Sequence, residues 1–270
     1  MDDKAVVVTG VGLVSPVGLT VGEAWDSILS GRSGVRSITE FDASSHSVRI
    51  GGTVEGFDVT RHLSAKEAKR MDRFIHYAFG ASAEALADSG LDFGSCDTDR
   101  IGISIGSGIG GLQGIENAHQ SLMDGGPRRV SPFLVPSSII NMAAGNISIF
   151  YGLRGPNLST VTACAAGTHH SGVSARMIAA GDADVMLAGG AEKCITPLGV
   201  AGFSSARALS QRNDSPEQAS RPWDSDRDGF VLSEGAAIIV LESYAHARRR
   251  GANIYARLAG FGNSADAHHI

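Results

Sequence analysis

The 270-residue sequence has few cysteines and no apolar run long enough to cross a bilayer. Its three cysteines, Cys96, Cys164 and Cys194, are odd in number and widely spaced. This spacing matches neither a disulfide framework nor a metal-ligand pattern, and it suits a reducing cytosol. Residues 1–4 lead directly into a predicted strand, so no signal peptide is expected. We therefore predict a cytoplasmic protein that neither inserts into a membrane nor holds a metal ion.

Positive charge is also scarce, because 23 lysines and arginines stand against 28 acidic residues, for a net charge of -5. Bulk electrostatics therefore disfavour nucleic acid and anionic membrane as partners. Hydrophobic residues make up 43% of the chain and charged residues 19%, which is ordinary for a soluble enzyme. Glycine is abundant instead, with 35 residues, and predicts many tight turns or close backbone approaches.

Apolar periodicity and helix-capping residues predict strands that alternate with helices along the chain. Thr20 with Glu23, and Ser64 with Glu67, have the spacing of capping boxes. The alternation favours an α/β fold with a mostly parallel sheet. The predicted strands are 5–9, 100–105, 158–162, 184–188, 236–241 and 254–258, and the predicted helices are 20–30, 64–89, 112–123, 136–151, 165–180 and 243–250.

Cys164 lies where a predicted buried strand ends and a helix of small residues begins. At such a junction, unpaired backbone N–H groups and the positive helix end favour a thiolate and can hold an oxyanion beside it. A thiolate next to an oxyanion hole is what acyl transfer through a thioester needs. The alternative is a small buried cysteine that only packs, and local sequence does not decide between the two. Small residues from Ala165 to Ala180 predict a helix buried on nearly all sides, with a tunnel leading to the thiol.

Two patterns imitate ligand-binding loops. The glycine run at 106–111 matches a dinucleotide fingerprint but lacks a following strand that ends in an acid, so we expect a close-approach loop beside another pocket. The acidic run at 224–229 starts like a calcium loop, yet its twelfth position is Gly235. We expect a structural turn there, with Arg221 and Arg227 near the acids.

His169 and His170 follow Cys164 by five and six residues on the same predicted helix. Residues three or four apart share a helix face, so neither histidine is well placed to reach the sulfur. We expect both to be buried and hydrogen-bonded.

A basic stripe recurs at helical spacing on a protein that is acidic overall. Lys66, Lys69, Arg70 and Arg73 are spaced for a single helical face, and a loop adds Arg128 and Arg129. Such a stripe is either a solvated surface or a docking site for an acidic partner.

Together these stretches resemble the beta-ketoacyl-acyl-carrier-protein synthases, and within them the type II elongating condensing enzymes. The resemblance covers essentially the whole chain, and TPLGV (196–200) with Phe203 favours the type II branch. The matching motifs are VTGVGLVSP (8–16), RMDRF (70–74), GSGIGG (106–111), SPF (131–133), GLRGP (152–156), TACA (162–165), GDAD (181–184), AGGAE (188–192), RALS (207–210), RPW (221–223) and RDGF (227–230).

The resemblance implies a thiolase-like layered fold, αβαβα in the complete family, and an enzyme without a cofactor. It also implies that Cys164 takes an acyl chain from acyl carrier protein, that malonyl carrier protein then extends it, and that the enzyme is a homodimer. Residues at the acyl pocket would be Ile109, Phe133, Leu134, Ile139, Ala163 and Phe203, with a partner subunit completing the pocket. Residues at the carrier-docking face would be Lys66, Lys69, Arg70, Arg128, Arg129 and Arg207.

The chain departs from the family pattern in its second half. The family's two catalytic histidines, their lysine and the second oxyanion donor have no match, so we expect a truncated synthase, or one segment of a longer product, without complete condensing activity. By this interpretation residues 1–252 form the N-terminal half and residues 253–270 begin the second. Two alternatives are a non-catalytic subunit that binds acyl chains or carrier protein or sets chain length, and a coenzyme-A-dependent relative such as a thiolase. The retained Cys164 argues against the first, and the basic stripe against the second.

Overall fold

A six-stranded sheet forms the centre of the structure, a computed structural model that describes residues 5–268. The predictions for residues 1–4 and for His269 and Ile270 lie outside the described residues. The strands of the large sheet follow the order β5-β4-β6-β7-β1-β8, while β2 and β3 form a separate antiparallel pair. The strands are β1 (Val6–Val14), β2 (Arg36–Ser37), β3 (Ile50–Gly51), β4 (Ile101–Gly106), β5 (Asn157–Leu158), β6 (Val185–Glu192), β7 (Gly235–Ser243) and β8 (Ala256–Arg257).

The sheet is mixed, so the prediction of a mostly parallel sheet is wrong. Within the large sheet, as far as the structure describes the chain, parallel pairing is confined to β4, with β5 on one side and β6 on the other. β6 with β7, β7 with β1 and β1 with β8 are antiparallel. The reason is the connection at 193–234, which leaves β6 and returns at the same end of the sheet, so that β7 must run back.

Helices cover both faces of the sheet, which gives three layers. The longest, α3, packs with α6 over one face around Phe74, Tyr77 and Ile103, and α7 packs on the other face around Ile178 and Met186. The α-helices are α1 (Val21–Leu29), α2 (Ala65–Ala68), α3 (Arg73–Ser89), α4 (Leu112–Gly125), α5 (Leu134–Ser138), α6 (Met142–Tyr151), α7 (Ala166–Ala180), α8 (Pro197–Ser205) and α9 (Tyr244–Arg249). In the part of the chain that the structure describes, no helix combines the length and the apolar character that a bilayer span requires.

Two predicted helices are each divided in two, and both divisions have a long-range cause. The predicted capping box at Ser64 and Glu67 is present, but α2 ends after Ala68 and Asp72 caps a new helix. The Asp72 carboxylate also accepts a hydrogen bond of 2.8 Å from the amide of Gly114, on α4. The predicted helix 136–151 is likewise interrupted after Ser138, whose carbonyl accepts from the amide of Gly111.

Helix α7 is buried on one side only, which corrects the prediction of a helix enclosed on nearly all sides. Its sheet-facing positions include Ala166, His170, Ala175 and Ile178, all buried. Most of the opposite face is open, and Arg176, among others, is exposed. The small residues therefore allow close packing against the sheet, while on the other face the described residues place only the Phe261 ring, which lies against Gly172.

A buried carboxylate links β7 to β1 and to α9, and it makes stability depend on pH. Glu242, at the end of β7, accepts hydrogen bonds from Thr9, from His246 Nδ1 at 2.6 Å and from Arg250 Nε at 3.0 Å. Burial disfavours its charge, but these donors overcome that effect and lower its pKa from 4.5 to about 2. A carboxyl group whose pKa is lowered by folding stabilises the fold at pH values above its unfolded pKa. This contribution disappears as the pH falls through the pKa of the folded state.

Replacing Glu242 with glutamine should therefore lower the free energy of unfolding by about 3 kcal/mol at pH 7. Urea unfolding of both proteins at pH 7 and pH 3 tests this. The difference between their free energies of unfolding should shrink by about half at pH 3. The exposed Glu217→Gln serves as the control. An equal gap at the two pH values would contradict the expected titration of Glu242.

Candidate active site

Cys164 lies in a single 3-10 turn, Ala163–Ala165, immediately before α7, and its side chain is exposed. The interpretation of Cys164 as a buried packing residue is therefore wrong. So is the prediction of a deep thiol reached through a tunnel, because no described element covers this end of α7. The turn is tight: Ala163 has a φ of 49°, in the left-handed region, and the amide of Ala165 donates to the Thr162 carbonyl at 3.1 Å.

The segment before the turn is not the buried strand that the sequence predicts. β5 ends at Leu158, and Val161 is 55% exposed. Beyond Leu158, the hydroxyl of Ser159 donates to the Ile105 carbonyl at 2.5 Å. A side-chain hydrogen bond thus replaces the backbone pairing that would extend β5 along β4, and the chain turns toward α7.

The N-terminus of α7 is left open by its own sequence. No side chain in the described part of the chain caps it, and its first turn contains no acidic residue. Its first N–H groups therefore point toward the turn that carries Cys164, and the positive end of the helix dipole lies next to the sulfur. This environment favours negative charge, as in a thiolate or in an oxyanion formed beside it.

The glycine run at 106–111 lies against the Cys164 turn, and a carboxylate occupies the position that a phosphate would need. Glu192 Oε2 accepts from the amides of Gly108 at 2.6 Å and Ile109 at 3.2 Å, and Glu192 Oε1 accepts from the Ser107 hydroxyl at 2.9 Å. Burial raises the pKa of Glu192, against the effect of these hydrogen bonds. A Cβ on Gly108 would lie 2.9 Å from Glu192 Oε2, and a Cβ on Gly111 would lie 2.5 Å from Ser138 Cα, so the loop is the close-approach loop that the sequence predicts.

Sequence patterns did not single out Glu192 as a site residue. Its partners are Ser107, Gly108 and Ile109, more than eighty residues earlier in the chain. The only available signal was its place in the AGGAE motif at the end of a predicted strand. The Glu192 carboxylate occupies the loop amides that would otherwise be available to a nucleotide phosphate, and it thereby fixes the loop beside the thiol.

Both histidines of α7 are hydrogen-bonded, as predicted, but only one is fully buried. His170 has no exposed surface, and burial lowers its pKa. Its Nδ1 lies 2.5 Å from Ser104 Oγ, and its Nε2 lies 3.0 Å from the Thr160 carbonyl. His169 is half-buried, and its Nδ1 lies 2.8 Å from Thr162 Oγ1.

Of the six predicted pocket residues, Ala163 lies in the Cys164 turn, Ile109 lies on the glycine loop beside it, and the other four lie on or beside α5 and α8. Ile109 belongs to the glycine loop, next to Ala163, and the same loop contacts the end of α5 through the Gly111–Ser138 hydrogen bond. Exposed side chains on and beside α5 include Phe133 and Ile139, with Leu134 half-buried. Phe203 lies on α8, where its ring packs 5.5 Å from the ring of Phe230. A common acyl pocket for these side chains and Ala163 stays a prediction.

The predicted docking cations lie on separate elements, so the basic stripe is not one helical face. Lys66 belongs to α2 and Arg73 begins α3, with a break between them. The Arg70 guanidinium lies 4.6 Å from the centre of the Phe133 ring, which connects this region to the segment that follows Arg128 and Arg129.

These cations are largely free to meet a partner. Arg73 forms an ion pair with Glu40 at 3.4 Å. Lys66, Lys69, Arg128, Arg129 and Arg207 are exposed, and between residues 5 and 268 none of the five forms an ion pair. Their role in docking is a prediction, but their charges are not neutralised by neighbouring acids.

The acidic run at 224–229 forms the structural turn that the sequence predicts. Arg221 forms an ion pair with Asp224 at 3.7 Å, and Arg227 Nη1 donates to the Asp224 carbonyl at 2.8 Å. The Asp224 carboxylate accepts from the amide of Asp226 at 2.8 Å, and Asp228 accepts from the Ser210 hydroxyl at 2.7 Å. The carboxylates of Asp224 and Asp228 therefore have partners within the chain.

The cysteines differ in exposure, which predicts selective labelling. Cys164 is exposed, whereas Cys194 is buried, and burial, together with Glu192 and Glu234, raises the pKa of Cys194 to about 12. Because the thiolate is the reactive form, iodoacetamide at pH 8 should label Cys164 at least about a hundredfold faster than Cys194. Peptide mass spectrometry after brief labelling measures both rates, and labelling in urea provides the unfolded control. Equal rates in the folded protein would contradict the burial of Cys194.

Comparison with known proteins agrees with this arrangement. The family described as "Beta-ketoacyl synthase, N-terminal domain" matches residues 3–247. The protein "3-oxoacyl-[acyl-carrier-protein] synthase 2" of Vibrio cholerae is 57% identical over all 270 residues, which span 65% of its length. The protein of the same name in Synechocystis is 50% identical over the same coverage.

Solved structures show the same fold. A beta-ketoacyl synthase from Burkholderia phymatum superposes with a TM-score of 0.89 at 37% identity, covering 98% of this chain and 65% of that one. The ishigamide ketosynthase/chain length factor gives a TM-score of 0.87 at 31% identity, covering 98% of this chain and 64% of that one. A type II polyketide acyl carrier protein in complex with its ketosynthase gives 0.76 at 29% identity, covering 95% of this chain and 67% of that one. The thiolase-like fold is thus confirmed, and the chain belongs to the beta-ketoacyl synthase family.

Proposed function

We propose that Cys164 is the nucleophile that receives an acyl group from acyl carrier protein. The observation that carries this proposal is the position of Cys164, exposed in a tight turn at the uncapped N-terminus of α7. The relatives named 3-oxoacyl-[acyl-carrier-protein] synthase 2 support it, since that name specifies a carrier-bound 3-oxoacyl product.

The acyl transfer is a thioester exchange. The Cys164 thiolate attacks the carbonyl carbon of the carrier-bound thioester, and negative charge develops on the carbonyl oxygen. The backbone N–H of Cys164 and the positive end of α7 stabilise that charge. The bond from the carbonyl carbon to the carrier sulfur then breaks, so that the acyl group stays on Cys164 and the carrier leaves as a thiolate.

The acyl chain and the carrier protein are proposed to use different surfaces. Ile109, Ala163 and Phe203, with Phe133, Leu134 and Ile139, would line the acyl pocket, and the exposure of Phe133 and Ile139 is consistent with a second subunit completing it in a homodimer. Acyl carrier proteins are acidic partners by this proposal, and the unpaired cations would attract them. Those cations are Lys66, Lys69, Arg70, Arg128, Arg129 and Arg207.

The whole protein is proposed to elongate fatty acyl chains in the cytoplasm. After acyl transfer, malonyl carrier protein loses carbon dioxide, and the resulting carbanion attacks the Cys164 thioester to give a 3-oxoacyl carrier protein. The residues of this chain support the acyl-transfer step, and we place the boundary between the two halves of the fold near residue 252.

The experiment that tests the proposal measures acyl transfer directly. The full chain is incubated with octanoyl-loaded acyl carrier protein, and intact-mass spectrometry should show the gain of one octanoyl group. A parallel incubation with octanoyl-coenzyme A separates a carrier-dependent enzyme from a coenzyme-A-dependent relative, because only the former should prefer the carrier. No mass gain from either donor would overturn the proposal.

A further inference from the structure

We propose that the adjacent histidines His169 and His170 are positioning residues that hold the segment before Cys164 in place through hydrogen bonds. Neither bonds the sulfur; each bonds a threonine of the segment that leads into it. The inference rests on the proposed function, because positioning matters for acyl transfer at Cys164. His170 is buried and His169 is half-buried, and neither takes part in the proposed acyl-transfer step.

His169 reaches the residue next to the strained position of the turn. Its Nδ1 lies 2.8 Å from the hydroxyl of Thr162, and Thr162 also supplies the carbonyl that closes the turn with Ala165. Ala163, between Thr162 and Cys164, has a φ of 49°. A left-handed non-glycine residue persists only where its surroundings hold it, and His169 supplies one such contact on the N-terminal side.

His170 holds the same segment two residues earlier and connects it to the centre of the sheet. Its Nδ1 contacts the Ser104 hydroxyl of β4, while its Nε2 contacts the carbonyl of Thr160 and lies 3.2 Å from the Thr160 amide. The space for this ring exists because position 106 is glycine: a Cβ on Gly106 would lie 2.3 Å from His170 Nε2. The two successive histidines therefore bond Thr162 and Thr160, which lie two residues apart on the segment that leads into Cys164.

Phe261 packs on the outer side of His169 and completes its surroundings. The two rings meet edge to face with centres 6.0 Å apart, and the Arg176 guanidinium lies 5.1 Å from the Phe261 ring centre. Gly172 makes room, since a Cβ there would lie 2.2 Å from the Phe261 ring. The imidazole of His169 is thus fixed between Phe261 and Thr162, which suits a group that sets geometry.

The test compares two reactions of the same sulfur in the full chain. Acylation by octanoyl-loaded acyl carrier protein needs the turn in one geometry, whereas alkylation by iodoacetamide needs only an accessible thiolate. In His169→Ala the ratio of acylation rate to alkylation rate should fall roughly five- to tenfold, as expected for one lost hydrogen bond that acts on the reacting geometry. His169→Asn places an amide at the δ position and should restore the ratio. His119→Ala, an exposed histidine on α4, is the matched control and should leave it unchanged.

Three results would overturn the inference: an unchanged ratio in His169→Ala, an asparagine variant no better than alanine, or an equal fall in the His119 control. If His169→Ala does not fold, Thr162→Val removes the same hydrogen bond from the other side and should lower the ratio alike. If the unmodified chain is not acylated, the proposed function fails. Amide hydrogen exchange of residues 159–166 then tests the positioning role by itself. Faster exchange there in the His169→Ala or Thr162→Val variant, with the rest unchanged, supports the positioning role, and identical exchange overturns it.

Discussion

Replacing Cys164 with serine is expected to lower the rate of acyl transfer from octanoyl-loaded acyl carrier protein roughly a thousandfold or more. The hydroxyl keeps the size of the side chain but remains protonated at neutral pH, and among residues 5–268 no side chain bonds position 164 as a general base. The positive end of α7 assists a thiolate that already exists; it does not deprotonate an alcohol. The measurement is the initial rate of octanoyl gain by intact mass.

Cys96→Ser is the matched control for this prediction. Cys96 is half-buried and packs against the core on the α3 face of the sheet, whereas α7 and Cys164 lie on the opposite face. Its serine variant should transfer the acyl group at the unmodified rate. A Cys164→Ser protein that still gains octanoyl at a comparable rate would show that another group is the acceptor.

Reversing the charge of Arg128 and Arg129 to glutamate is expected to slow acylation by the loaded carrier roughly ten- to hundredfold at low salt. Both side chains are exposed, and neither forms an ion pair within residues 5–268, so their charges act on whatever approaches. The effect should shrink as ionic strength rises, because exposed charges are screened over about 10 Å at 0.1 M salt. Alkylation of Cys164 by iodoacetamide, a neutral reagent, should not change.

The chain offers a close control for this double substitution. Arg248 and Arg249 are also adjacent, exposed arginines, at the end of α9, and reversing them changes the net charge equally. That variant should keep the rate of carrier-dependent acylation. Equal slowing by both variants would mean that overall charge matters and that Arg128 and Arg129 form no docking site.

The elements themselves were largely predictable from sequence, because their signals are local. Ser64 and Glu67 form the predicted capping box, and α7 begins within one residue of its predicted start. The same local change in composition placed Cys164 immediately before that helix. Periodicity and capping depend on residues a few positions apart, and those contacts persist in the folded chain.

The errors concern contacts between distant parts of the chain. Asp72 divides a predicted helix because it bonds Gly114, and β5 stops because Ser159 bonds Ile105. The enclosure of α7 was predicted from its small residues, yet small residues indicate only a close approach on at least one side. Glu192 filling the glycine loop is likewise visible only once β4 and β6 lie side by side.

The location of the acyl group on the chain tests the central claim most directly. After incubation with octanoyl-loaded acyl carrier protein, tryptic peptides are sequenced by tandem mass spectrometry, with and without neutral hydroxylamine, which cleaves thioesters. The account predicts one octanoyl group, on the peptide that contains Cys164, removed by hydroxylamine. An octanoyl group on Cys96, on Cys194 or on a lysine, with Cys164 unmodified, would contradict it.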